Sequence, residues 1–233
     1  MIVDGSNGTN QAWADVIEGT EGPDEIVGTP EDDIIDSKGG RDENHGDTTI
    51  GDGSGNDVIN SGEGTDFNSG DTFIGGGSGN DVINSGDNSG EGGDDQEVNF
   101  GDTFIGDGSG NDVINSGEGT DFNSGDSFEG GTGSGNDVIN SGEGDDENLG
   151  DTFIGDGSGD DIIVSGEGSD SNFGDTFEGQ GSGDDIIVSG EEDDTNTGNG
   201  GRDIFVCGDG EEDTVTDYNE EEGDIAAQDC ENV

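Results

Sequence analysis

The chain has 233 residues, of which 52 are glycine and only 22% are hydrophobic. That is too little apolar material for an ordinary globular core of this length. Sixty-two Asp and Glu face three basic residues, Lys38, Arg41 and Arg202, for a formal net charge of -59. Such a chain stays expanded unless cations join the structure. Nothing in it neutralises phosphates, which excludes nucleic acid as a partner, and an anionic membrane surface would repel it.

Residues 1–18 carry no repeat. The start, MIVDGSNGTN, lacks the basic and apolar regions of a signal peptide, and no stretch approaches the roughly 18 apolar residues of a membrane span. Trp13, Val16 and Ile17 offer apolar surface for a cap over a first coil, and Asn7, Gly8 and Thr9 form a glycosylation sequon.

From residue 19 to 200 the chain is repetitive. The block GDTFIGDGSGNDVINSGEGTDFNS recurs, and segments beginning at Thr48, Thr72, Thr103, Ser127, Thr152 and Thr176 are spaced by 24, 31, 24, 25 and 24 residues. The long spacing comes from extra Gly- and Asp-rich residues within 87–95, which reads as an enlarged surface loop. Within each block, apolar triplets alternate with Gly-rich turns, so TFI-GDGSGND-VIN predicts strand, turn, strand. Alternation predicts two inward columns. One is Phe73, Phe104, Phe128, Phe153 and Phe177; the other is Ile59, Ile83, Ile114, Ile139, Ile163 and Ile187. No coil buries its own face, but stacked coils at about 4.8 Å per layer do. A third column, Asn44, Asn68, Asn99, Asn123, Asn148, Asn172 and Asn196, is either a corner ladder of coil-to-coil amide hydrogen bonds or a row of solvent-facing turn residues.

The segment GGSGNDVIN, Gly76 to Asn84, fits the nine-residue pattern GGxGxDxUx, where U is a large apolar residue. It resembles the repeats-in-toxin (RTX) family of calcium-binding β-rolls. DGSGNDVIN from Asp52 and Asp107, TGSGNDVIN from Thr132, DGSGDDIIV from Asp156 and QGSGDDIIV from Gln180 depart from it only at the first Gly. Looser units, GTEGPDEIV from Gly19 and GTPEDDIID from Gly28, keep Asp24 with Ile26 and Asp33 with Ile35. The resemblance implies an all-β fold, a right-handed parallel β-solenoid (β-roll) with multiple Ca²⁺ held between turns of successive coils. Calcium takes six to eight oxygens at about 2.3 to 2.6 Å. On the GSGND and GSGDD side the candidate ligands are Asp33, Asp57, Asp81, Asp112, Asp137, Asp161 and Asp185. The glycines that shape these turns are Gly53, Gly55, Gly77, Gly79, Gly108, Gly110, Gly133, Gly135, Gly157, Gly159, Gly181 and Gly183.

A second turn, SGEGTD and its variants, ends at Asp66, Asp121, Asp146, Asp170 and Asp194 and is a candidate second row of calcium ligands. It lacks the apolar U, and the coil is longer than the two nine-residue units of the family pattern. A further acidic set, Asp71, Asp102, Asp126, Asp151 and Asp175 in the GDTF and GDSF steps, is open between ligation and closing an Asx-turn. Stacked carboxylates repel unless divalent ions lie between them, which predicts a chain that is disordered without calcium and β-rich with it.

Residues 201–233 depart from the block and read as a capping segment, with Phe205, Val206, Val215 and Tyr218 over the last coil. Cys207 and Cys230 either close one loop there or stay as free thiols.

Catalysis has little to work with. His45 is the one histidine and aligns with Ser69, Phe100 and Phe173, which predicts a surface turn residue, and no carboxylate pair stands apart from its copies. The reading is a secreted or cell-surface, non-enzymatic calcium-binding module with a structural, adhesive or filament-forming role. Outward ribs of Ile50, Ile74, Ile105 and Ile154, and of Val58, Val82, Val113 and Val138, are candidates for self-association. The alternatives are an ice-binding segment, for which Ser54, Asn56, Ser78 and Asn80 form regular rows with Ser in place of Thr, and the non-catalytic repeat region of a secreted enzyme.

Overall fold

The computed structural model describes residues 2–4, 15–86, 96–210 and 212–233. The expansion at 87–95, Trp13 and the sequon lie outside the described residues. Within them the chain is all β, a parallel β-solenoid of about eight turns. Its short strands form two ten-stranded sheets and one six-stranded sheet, with a two-residue pairing of Gly39–Gly40 and Glu63–Gly64.

The three main sheets run along the solenoid axis. An asparagine sheet contains Glu43–His45, Phe67–Ser69, Val98–Phe100, Phe122–Ser124, Glu147–Leu149, Ser171–Phe173 and Thr195–Thr197 among its strands. An isoleucine sheet contains Val58–Asn60, Val82–Asn84, Val113–Asn115, Val138–Glu143, Ile162–Glu167 and Ile186–Val188. A phenylalanine sheet of six strands runs from Thr48–Ile50 to Thr176–Glu178. The register is the one the repeat spacing predicts: Ile59 pairs with Ile83, Ile83 with Ile114, and Ile114 with Ile139. At the two ends the hydrogen-bonded partners fall 18 residues apart instead of 24. Those coils lack a phenylalanine strand.

The interior is thin and half polar. Ile59, Ile83, Ile114, Ile139, Ile163 and Ile187 have no exposed surface, and Ile17, Ile26, Ile35, Phe205 and Val215 continue the apolar cluster at its ends. Opposite them lies the asparagine column, also fully buried. Each Asn but the last, Asn196, donates Nδ2–H to the Oδ1 of the Asn one coil later, as from Asn68 to Asn99 and from Asn99 to Asn123, both at 2.9 Å. Each donates again to a serine Oγ in its own coil, as from Asn123 to Ser116 at 3.0 Å. That serine hydroxyl in turn donates to the carbonyl of the serine one coil on. The ladder of the sequence reading is present, but at strand centres rather than at a corner. None of its members has the left-handed backbone that a turn position would require.

The phenylalanine column is a correction. Phe73, Phe104, Phe128 and Phe153 are only partly buried and Phe177 is 47% exposed; they lie outside the apolar core. Because Asn68 points inward, its neighbour Phe67 points out, and the rings of Phe73 and Phe67 meet at 5.6 Å on that outer side. Along the axis the column stacks, with Phe128 and Phe153 4.9 Å apart and 5° from parallel. The buried residue of each TFI triplet is its threonine, or serine in Ser127.

His45 is a second correction. It lies in a strand, buried to 1%, beneath the rings of Phe67 and Phe73. Its Nε2 is 3.2 Å from Glu43 Oε1, and burial pushes the imidazole pKa down. The alignment was right and the exposure was wrong: the equivalent position in later coils carries Phe100, Leu149 and Phe173, so it faces an aromatic corner.

At the C-terminal end, Ile204–Val206 and Ile225–Ala226 extend the isoleucine sheet and Thr214–Val215 extends the asparagine sheet. Cys207 and Cys230 form a disulfide. No helix among the described residues is long and apolar enough to cross a membrane.

Candidate metal centre

Between the phenylalanine and isoleucine sheets each coil passes through its GSGND or GSGDD turn, and the final aspartate turns inward. Asp57, Asp81, Asp112, Asp137, Asp161 and Asp185 are each 1% exposed. In every one, Oδ1 accepts the main-chain amide of the aspartate one coil earlier, as from Asp57 to Asp81 and from Asp112 to Asp137, both at 2.7 Å. In every one, Oδ2 is buried with no hydrogen-bond partner. A charged oxygen in that state costs several kcal/mol unless something else meets it.

What faces it is the acidic set of the GDTF step. Asp71, Asp102, Asp126, Asp151 and Asp175 have no exposed surface, and Asp47 has 1%. They close no Asx-turn: Asp47 and Asp71 accept the amides of Ser54 and Ser78, seven residues on. Together the two columns make five triads: Asp47 with Asp57 and Asp71; Asp71 with Asp81 and Asp102; Asp102 with Asp112 and Asp126; Asp126 with Asp137 and Asp151; Asp151 with Asp161 and Asp175. In each, three carboxylate oxygens lie within 4.8 Å of one another. Ligands on opposite sides of one calcium ion are about 5 Å apart. The sequence therefore found one column of the triads and left the second undecided, and Asp47, in GDTT, belongs to that second column. Its signal was the Gly-Asp step that precedes each GSGND or GSGDD aspartate by ten residues, and by eleven at Asp126.

The first glycine of each turn makes room for this arrangement. A Cβ on Gly108 would stand 2.6 Å from the Asp126 Cβ and 3.0 Å from Asp102 Oδ2. Gly53, Gly77, Gly133 and Gly157 each stand in the same way between two successive GDTF-column aspartates, and Gly181 stands between Asp175 and Asn199. None of the six has a positive φ, so close approach rather than left-handed backbone selects glycine here. The second glycine packs coil on coil: Gly55, Gly79, Gly110 and Gly135 pair in series, Gly183 pairs with Gly201, and a Cβ on Gly159 would overlap the Gly135 carbonyl.

At each end of the row a neutral residue, Thr29 or Asn199, stands where the GDTF column would continue. Asp33 is buried but belongs to no triad among the described residues; its Oδ2 accepts from the Thr29 amide and hydroxyl, and its Oδ1 accepts from the Asp15 amide. At the other end Asn199 takes the place of the next aspartate, and its Oδ1 accepts from the Asp175 and Thr176 amides. Asp185 meets Asp175 there without a third carboxylate.

Electrostatics follow from the burial. Desolvation, then neighbouring carboxylates, pushes Asp71 up to about 12, Asp81 and Asp161 to about 10, and Asp175 to about 9. Desolvation likewise raises Asp57 and Asp185 to about 8, and Asp112, Asp126 and Asp137 are raised well above the ordinary range. Without a counter-ion the row takes up protons; a divalent cation replaces those protons and reverses the shift.

The second turn is built differently. Asp66, Asp121, Asp146, Asp170 and Asp194 are buried, and the Oδ1 of each accepts an amide one coil back, as from Asp121 to Asp146 at 2.8 Å. None of these joins a group of three carboxylates among the described residues. Burial raises Asp66 and Asp194 to about 6 and Asp146 to about 7.

Fold and site together define a class: an acidic parallel β-solenoid with a buried, axial row of carboxylate triads. An all-oxygen, all-carboxylate donor set suits a hard divalent cation such as Ca²⁺, Mg²⁺ or Mn²⁺ rather than a soft metal. Comparison with protein-family models, with curated proteins and with solved structures returns no match to this chain.

Proposed function

We propose that this protein is an extracellular calcium-binding β-roll that winds up as it takes up Ca²⁺ and serves as a structural or adhesive module. The observation that carries the reading is the orphaned Oδ2 of Asp57, Asp81, Asp112, Asp137 and Asp161, each buried and aimed at two further carboxylates. An apo chain would have to bury these charges unpaired or protonate them, so winding and ion uptake belong to one equilibrium. The likeness of Gly76 to Asn84 to the RTX nonapeptide supports calcium among the hard cations. The Cys207–Cys230 disulfide supports an oxidising compartment.

A repeating array with no cleft-held residue apart from its copies supports a binding rather than a catalytic role. The outer face of the isoleucine sheet carries Val16, Ile34, Val138, Ile162 and Ile225, each at least 36% exposed. This rib is the surface on which an adhesive role would draw.

The test is circular dichroism of the full chain during chelation and calcium return. The reading expects loss of the β spectrum in excess EGTA and its recovery with calcium. An unchanged β spectrum under chelation, with no calcium in the dialysed protein, defeats it.

A further inference from the structure

We infer that the five triads are a single chain of ions joined by shared carboxylates, rather than five separate sites; this rests on the metal-binding reading above. The GDTF column is shared between layers. Asp71, Asp102, Asp126 and Asp151 each belong to two consecutive triads, whereas Asp47 and Asp175 belong to one. A carboxylate has two oxygens, and layers of a parallel solenoid repeat at about 4.8 Å, so one carboxylate can give one oxygen to the ion on each side. Both oxygens of Asp102, Asp126 and Asp151 are buried without a hydrogen-bond donor of ordinary geometry. The partner column cannot bridge, because Asp81, Asp112 and Asp137 commit Oδ1 to a main-chain amide and keep one oxygen for an ion.

Charge supports divalent ions in such a chain. The row contains eleven carboxylates in five triads, and five divalent ions bring ten positive charges to them, leaving a buried row close to neutral. Monovalent ions leave it strongly negative and trivalent ions make it positive. The chain stops at Thr29 and at Asn199, neutral residues in line with the column, where no bridging carboxylate follows.

Ion counting on the calcium-saturated full chain by native mass spectrometry separates the two arrangements. Asp175→Ala and Asp47→Ala, at the ends of the column, remove one calcium ion each, whereas Asp126→Ala, in the same column with the same burial, removes two. Equal losses from the end and bridging variants, or no loss from Asp126→Ala, overturn the shared chain. If Asp126→Ala does not fold in calcium, Asp102→Ala and Asp151→Ala, whose carboxylates also keep both oxygens unpartnered, are counted in its place. Should every bridging Ala variant fail to fold, Asn variants that keep one ligand oxygen are counted: Asp126→Asn is expected to lose one ion and Asp175→Asn none, and equal losses overturn the shared chain. A wild-type chain carrying no calcium would instead defeat the metal reading itself.

Discussion

Asp112 accepts the main-chain amide of Asp81 on Oδ1 at 2.7 Å and presents Oδ2, buried and without a hydrogen-bond donor, to Asp102 and Asp126. One side chain thus holds two coils in register and supplies a third of a triad. Asp112→Asn keeps the first role and removes the second. The expected outcome is a calcium midpoint raised several-fold, read by circular dichroism, with an unchanged wound spectrum at saturation. A midpoint equal to that of the parent would show that Oδ2 is not a ligand.

Ile114 and its neighbour Val113 point to opposite sides of the isoleucine sheet. Ile114 has no exposed surface, and Val113 is partly open on the outer face. Ile114→Ala leaves a cavity between two isoleucines that cannot close without breaking register, and is expected to cost about 2–5 kcal/mol in calcium-saturated denaturant unfolding. Val113→Ala is expected to cost about 1 kcal/mol or less. Equal costs would contradict the inward phase of the strand.

The difference between these two neighbours was legible in the sequence because β-strand alternation and apolar character agree at VIN. They disagree at TFI. Phe73 is apolar and the middle residue of its triplet, which predicts it inward, yet the buried position belongs to Thr72. The interior beside it is lined by Asp71, Asp81 and Asp102, where an aromatic ring has no place, so the rings gather outside against Phe67 and Phe100. For Asn68 the sequence leaves a ladder and a solvent-facing turn both open, and its depth is not legible. A buried Asn is expected only when all its hydrogen bonds are met, and the donors and acceptors that meet them, Asn44, Asn99 and Ser61, come from three segments brought together by winding. The GDTF aspartates were ambiguous for the same reason: their partners lie in other coils.

Acid should act on the chelated chain in the opposite sense to its action on the calcium-loaded one. Burial raises Asp57 to about 8, Asp66 to about 6 and Asp146 to about 7 in the wound state, against 3.8 for an unperturbed Asp. A raised folded pKa means the wound state holds protons that the open chain has released. The stabilisation is complete below about pH 3.8 and is lost as pH rises through about 6 to 8. In EDTA the β spectrum is therefore expected to grow as pH is lowered from 8 to 4. In calcium, protons compete with the ion, so the midpoint for calcium rises over the same interval. A chelated chain equally open at pH 4 and pH 8 would contradict the burial of these carboxylates.

The disulfide fastens the last coils to the roll. Cys207 is fully buried at the end of the apolar cluster, and Cys230 packs against that cluster from 23 residues further on. Closing a loop of that size removes about 3 kcal/mol of chain entropy from the open state. Its loss should be felt locally, because a solenoid layer touches only its neighbours. Reduction in saturating calcium is therefore expected to expose the segment after Asp203 to proteolysis and amide exchange, while the layers holding Ile83, Ile114 and Ile139 stay protected. Mass spectrometry of limited digests with and without reductant reads this directly. Uniform loss of protection along the whole roll would mean that the C-terminal layers nucleate the fold rather than cap it.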